Sequence, residues 1–165
     1  MPRGWPKPSS FATVLLSLAP SLQAAEPPPN YVAAFAGTTL AYRPPGGGWD
    51  GAQSDLALTA GVGRFVSRSV ALELDFGPTL LNERYASFSL VPGLTWNISA
   101  HVYLAARFPV AIDPDLAVYS APGVGLAHTF ANGLTPTLEV NAVTRLGHGK
   151  PDLGIAVTLG LLYSF

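Results

Sequence analysis

The sequence predicts an all-β chain folded as an eight-stranded antiparallel up-and-down transmembrane β-barrel. Three observations predict it. Apolar residues alternate with small or polar ones along most of the chain. The hydrophobic fraction is 48% while the charged fraction is only 12%, about half the usual share for a soluble domain. After residue 24 no apolar run approaches the roughly 18–20 residues that a membrane-crossing helix needs. Such a chain either packs a soluble core or turns every second residue toward lipid. At 165 residues it has the length of one domain.

Residues 1–24 have the layout of a cleaved secretory signal. Arg3 and Lys7 precede an apolar stretch from Phe11 to Leu22, and Leu22-Gln23-Ala24 resembles a small-residue cleavage site. A mature chain is expected from Ala25. Residues 25–30 contain Pro27-Pro28-Pro29 and form an extended leader, because proline supplies no N–H to a helix or sheet. The barrel is expected over 31–165. The chain has no cysteine, which excludes disulfides and thiolate metal sites. Two of the 9 basic residues fall in the signal, leaving 7 against 10 acidic ones and a formal mature charge of −3. With no basic cluster, no nucleic-acid partner is expected.

Period-two patterning places the eight strands at roughly 31–43, 52–64, 69–78, 85–98, 101–112, 117–130, 134–146 and 153–165. The first ends in Tyr42-Arg43. The second carries Asp55 and the run Gly61-Val62-Gly63-Arg64-Phe65. The third is the clearest: Val70, Leu72, Leu74 and Phe76 fall on one face, and Ala71, Glu73 and Asp75 on the other. A helix would spread those acids around its cylinder. The fourth holds Gly93-Leu94-Thr95-Trp96, and the fifth, Val102 to Phe108, repeats the third at an offset of one hairpin. The sixth carries Gly123-Val124-Gly125-Leu126. The seventh holds Glu139 and Arg145, and the eighth alternates from Leu153 to Phe165. Repeated hairpins are what an up-and-down barrel requires. Pro92, Pro109, Pro122 and Pro136 lie within these strands, where each deletes a ladder hydrogen bond. Bulges are expected at Pro92-Gly93 and Pro122-Gly123.

Charge placement follows the same parity. With the more apolar face of each strand outward, Arg43, Asp55, Glu73, Asp75, Arg107, Glu139 and Arg145 all point into the lumen. A charge on the lipid face costs on the order of 2–4 kcal/mol near the midplane. An eight-stranded interior is narrow and filled by side chains, so these groups are expected to pair. Arg107 and Arg145 would be the bases nearest Glu73, Asp75 and Glu139. Aromatic residues near strand ends, among them Tyr42, Phe76, Trp96, Phe108 and Phe130, are expected to form girdles at the lipid–water boundaries.

The chain resembles the small bacterial outer-membrane barrels of the OmpA/OmpX type. The resemblance rests on the signal-like start, the eight alternating strands and the terminal Tyr163-Ser164-Phe165, and it covers the whole mature chain. In that family a last strand ending in phenylalanine, with apolar or aromatic residues at alternate positions before it, is the signal read by the barrel assembly machinery. Leu159, Leu161, Tyr163 and Phe165 match it. The resemblance implies an outer-membrane location, contact with outer-membrane lipid and lipopolysaccharide, and a monomer. It also implies termini in the periplasm and external loops near 44–51, 79–84, 113–116 and 147–152.

No catalytic signature emerges. Some barrels of this class are lipid A deacylases that use a lipid-facing His and Ser with a supporting Glu. Here His128 has the right parity, but Phe130 stands two residues on, Ser120 is about 26 Å away along a strand, and Glu139 faces inward. A nucleophile needs its base within about 3 Å. His101 and His148 have spacings that suggest no metal site, and no cofactor is implied. The favoured reading is a non-enzymatic barrel with an envelope-structural or surface-contact role. A narrow pore or conduit for small or hydrophobic molecules is the alternative. A soluble, lipocalin-like periplasmic binding barrel, with apolar residues turned inward, is a further one.

Overall fold

The computed structural model describes residues 30–52, 55–147 and 152–165. The expected signal, nearly all of the leader, and His148 lie outside the described residues. The strands are β1 (Asn30–Arg43), β2 (Asp55–Phe65), β3 (Val70–Leu81), β4 (Arg84–Asn97), β5 (Val102–Arg107), β6 (Val110–Asp113), β7 (Ala117–Ala127), β8 (Leu134–Arg145) and β9 (Leu153–Ser164). All pair antiparallel. β5 and β6 are two halves of one stave, since both lie between β4 and β7. The β1–β9 and β3–β4 pairings close the sheet on itself. The nine segments thus make an eight-staved, edgeless barrel.

The stave breaks at Phe108-Pro109, where proline withholds a ladder donor. The bulges expected at Pro92 and Pro122 do not occur. Pro92 pairs with Leu74 and Pro122 with Ala106 in unshifted register. Pro122 instead leaves a gap in the β7–β8 ladder, which resumes in the same register on either side. The bulges fall elsewhere, at Thr39/Ala41, Thr79/Leu80 and Phe88/Ser89.

Both described termini lie at one end of the barrel, together with the turns after β2, β4 and β7. Two of these turns are copies 32 residues apart. Ser67 Oγ accepts from Val70 N, and Ser99 Oγ accepts from Val102 N, at 3.1 and 3.0 Å. The hairpin repeat visible in the sequence is therefore a repeat of turn chemistry as well. At the other end lie residues 44–52, 146–147 and 152, the short turn 114–116, and a two-residue turn joining β3 to β4. In that turn Leu81 pairs with Arg84, and Asn82 and Glu83 take φ of 48° and 62°, the conformation a type I′ hairpin demands.

Outside and inside differ as alternation requires. Val62, Leu72, Leu74, Leu104, Val124 and Val140 are exposed on the outer wall, whereas Ala71, Glu73, Asp75, Ala105, Arg107 and Glu139 are buried within. A lipocalin-like binding barrel needs the reverse. Leu159, Leu161, Tyr163 and Phe165 also stand exposed on the outer face or end of β9, which pairs with both β1 and β8.

Candidate functional site

The lumen is crossed at mid-height by one guanidinium and three carboxylates. Arg107 Nε donates to Glu139 Oε1 at 2.9 Å and Nη2 donates to Glu139 Oε2 at 3.1 Å. Nη1 donates to Asp75 Oδ2 at 3.1 Å and also to Glu73. The guanidinium lies over the Phe35 ring, 5.1 Å from its centroid, a cation–π contact strengthened by desolvation. Glu139 is only 2% exposed. A carboxylate so buried is tolerable only when ionically paired and fully hydrogen-bonded.

Strand register explains how these groups meet. Tyr31, Gly63 and Glu73 stand side by side on β1, β2 and β3. Tyr103, Gly125 and Glu139 stand side by side on β5, β7 and β8. In both sets the tyrosine lies across the glycine and its hydroxyl donates to the glutamate. A Cβ on Gly63 or Gly125 would sit 2.0 or 2.1 Å from the tyrosine ring, so only glycine fits. The next inward layer repeats as Ala33–Gly61–Asp75 and Ala105–Gly123–Asn141. One layer further, Phe35 of the first set and Arg107 of the second touch. The two half-barrels thus share one interior plan, and the plug forms where their equivalent residues meet. Arg107 reaches β3 across Gly93, its register partner on β4.

The charged residues expected in the lumen divide into three groups. Glu73, Asp75, Arg107 and Glu139 form the plug. Asp55 and Arg145 line the lumen higher up, without an ion pair between them or to the plug. Asp55 is held by threonines: Thr39 N and Oγ1 donate to it at 2.7 and 2.6 Å, and Thr38 Oγ1 at 3.1 Å. Arg145 lines the cavity, and its buried Nε has no hydrogen-bond partner among the described residues. Arg43 does not enter the lumen. The bulge between Thr39 and Ala41 inverts parity, so Arg43 is exposed and its Nε donates to Gly47 O, while Tyr42 turns to the cavity. Tyr42 is therefore not on an outer girdle. Phe76 and Phe108 are outward but stand midway along their staves; Trp96 and Phe130 are exposed near the terminal end.

Above the plug, toward the loop end, the lumen widens into a cavity of about 640 Å³. Phe35, Asp75, Arg107 and Asn141 are at its floor, and the wall is mostly threonine, serine, alanine and glycine. Below the plug the bore is filled. Tyr31, level with Glu73, packs downward on Phe65 with ring centroids 5.6 Å apart, and Ala33, Phe35, Ala71 and Leu162 belong to the same cluster. The interior is a cup, closed at one end.

The fold is that of a transmembrane-type β-barrel. A solved chain from the de novo design of transmembrane β-barrels superposes with a TM-score of 0.52 at 15% sequence identity, covering 84% of this chain and 97% of that one. No family model and no curated protein matches the sequence.

Tyr31, Tyr103 and their glycines escape a reading of single strands. Each strand shows only an inward tyrosine or an inward glycine, and the motif exists only across three strands in register. Among candidates for chemistry, His128 stacks on His101 with ring centroids 5.6 Å apart and meets the edge of Phe130 at 4.8 Å.

Proposed function

We propose that this chain is an integral outer-membrane barrel that serves the cell envelope without catalysis, presenting a closed-bottomed cup at its external mouth. The observation that carries this reading is the inversion of an ordinary protein: a continuous apolar exterior around a charged, hydrogen-bonded interior. Exposed apolar side chains on every stave would be a severe aggregation liability in water, and they match what acyl chains solvate. Outer-membrane lipid and lipopolysaccharide are then its surroundings, and the outward Leu159, Leu161, Tyr163 and Phe165 suit recognition by barrel assembly machinery. The plug supports a barrel that does not conduct, in preference to a pore or conduit.

Cell fractionation with heat-modifiable gel mobility tests the reading. The protein should appear in the outer membrane and migrate faster unheated than boiled. Recovery in the soluble periplasmic fraction without detergent would refute it. Planar-bilayer recording should show no steady conductance.

A further inference from the structure

We propose that the outer wall, at the end holding the described termini, carries a seat for one anionic phospholipid. Its phosphate rests on His101 and His128, and one acyl chain lies along β8. The proposal rests on the reading of this chain as a membrane barrel and adds a fixed lipid site to it.

The headgroup end is a pair of imidazoles. His101 precedes β5 and His128 follows β7, so the pairing of those strands brings them together. Ala127 N donates to His101 O at 2.9 Å, and the two exposed rings stack with centroids 5.6 Å apart. His128 also meets the edge of Phe130, itself exposed near this end. Aromatic residues at a barrel's end mark the lipid–water boundary, which is the depth of a headgroup phosphate. His101 Nδ1 lies 3.3 Å from Ala127 O, which leaves its Nε2 for a ligand. At mildly acidic pH imidazole takes up a proton and donates from both nitrogens. Two imidazolium rings this close repel, and an anion shared between them offsets the repulsion.

The tail end is a groove. His128 N donates to Pro136 O at 3.2 Å, so the proline ring stands beside His128, with Leu161 as its partner on β9. One level deeper, Leu126, Leu138 and Leu159 stand abreast on β7, β8 and β9, all exposed. The compact proline leaves a notch between His128 and Leu161, and the floor beyond it is aliphatic. Donors at the water edge and alkyl wall further in follow the order of a phospholipid. The two histidines are the titratable side chains lining this groove. Glu139, next to Leu138, turns inward to Arg107.

The distribution of charge favours an anion. Asp50, Asp55, Glu83, Asp113, Asp115 and Asp152 all lie toward the loop end. Below the plug, among the described residues, stand Arg64, Arg68, His101 and His128 and no acidic side chain. A surface of one sign draws in the opposite charge.

The test is native mass spectrometry of the detergent-folded barrel at mildly acidic pH. It is offered equal amounts of phosphatidylglycerol and phosphatidylcholine with the same acyl chains. Retention of one phosphatidylglycerol, in preference to phosphatidylcholine, is expected. His101→Gln with His128→Gln should lower that retention about tenfold, as the loss of charge-assisted hydrogen bonds implies. Pro136→Phe fills the notch, leaves both histidines in place, and should lower it as well. Arg64→Gln, on the stave opposite β7, should leave it unchanged, and excess glycerol phosphate should not displace the lipid. Heat-modifiable mobility verifies folding; if Pro136→Phe does not fold, Leu138→Trp replaces it. A folded wild type that retains neither lipid, or both equally, would overturn the proposal while leaving the envelope reading standing. So would retention unchanged in the folded histidine or groove variant, an equal fall in Arg64→Gln, or displacement by glycerol phosphate. Recovery of the protein in the soluble fraction without detergent would overturn both readings.

Discussion

Replacing Arg107 by leucine removes the only base, among the described residues, in contact with Glu73, Asp75 and Glu139. Four donated hydrogen bonds disappear with it, and three carboxylates are left facing one another in a narrow bore. Glu73 and Glu139 keep their tyrosine donors, so the loss is not total desolvation without partners. Removing one member of a buried ion pair costs about 3–5 kcal/mol. A urea dependence of about 1–3 kcal/mol per molar turns that into a midpoint lowered by roughly 2 M. The assay is urea unfolding of the barrel in lipid vesicles, followed by Trp96 emission and by the unheated gel band. Adding Glu73→Gln, Asp75→Asn and Glu139→Gln to Arg107→Leu removes the stranded charges and should restore more than half of the loss. An Arg107→Leu barrel within about 1 kcal/mol of wild type would refute the argument, as would a quadruple variant no better than the single.

Gly125→Ala forces a Cβ into the Tyr103 ring and should cost about 1–3 kcal/mol by overpacking, measured by the same unfolding; Gly63→Ala should do likewise against Tyr31. Leu74→Arg, at mid-wall on the outer face, should destabilise by about 2–4 kcal/mol, and Leu56→Arg, near the mouth, by about 0–1 kcal/mol. Equal losses at the two positions would contradict a bilayer around the barrel. Phe165→Ser should reduce the amount of barrel reaching the outer membrane without lowering the stability of refolded protein, read by fractionation beside unfolding.

Most of the fold was legible because alternation is a local property. Each strand of the barrel reports its own inside and outside through residues such as Leu72, Glu73 and Leu74, and the eight staves follow from counting. What escaped depends on relations between strands. The bulge near Leu40 inverts parity over two residues, and nothing in Thr39-Leu40-Ala41 distinguishes it from regular strand, so Arg43 and Tyr42 exchange sides. Pro92 and Pro122 fit without bulging because a missing N–H need only coincide with a gap in the neighbouring ladder. The membership of the plug could be anticipated from inward parity. Its stoichiometry could not, because Asp55 finds threonine donors and Arg145 stands one layer too high. Both outcomes depend on register, which single-strand patterning leaves open.

The chain has no cysteine, so single cysteines can be nitroxide-labelled cleanly in vesicles. Labels at the adjacent pairs Ala57/Leu58 and Ser89/Leu90 probe both surfaces of one wall. Leu58 and Leu90 should collide mainly with oxygen dissolved in the acyl region, and Ala57 and Ser89 mainly with a water-soluble nickel chelate entering the cup. Reversed preferences, or the same preference at both members of a pair, would contradict a closed cylinder with lipid outside and a hydrated, charge-lined interior.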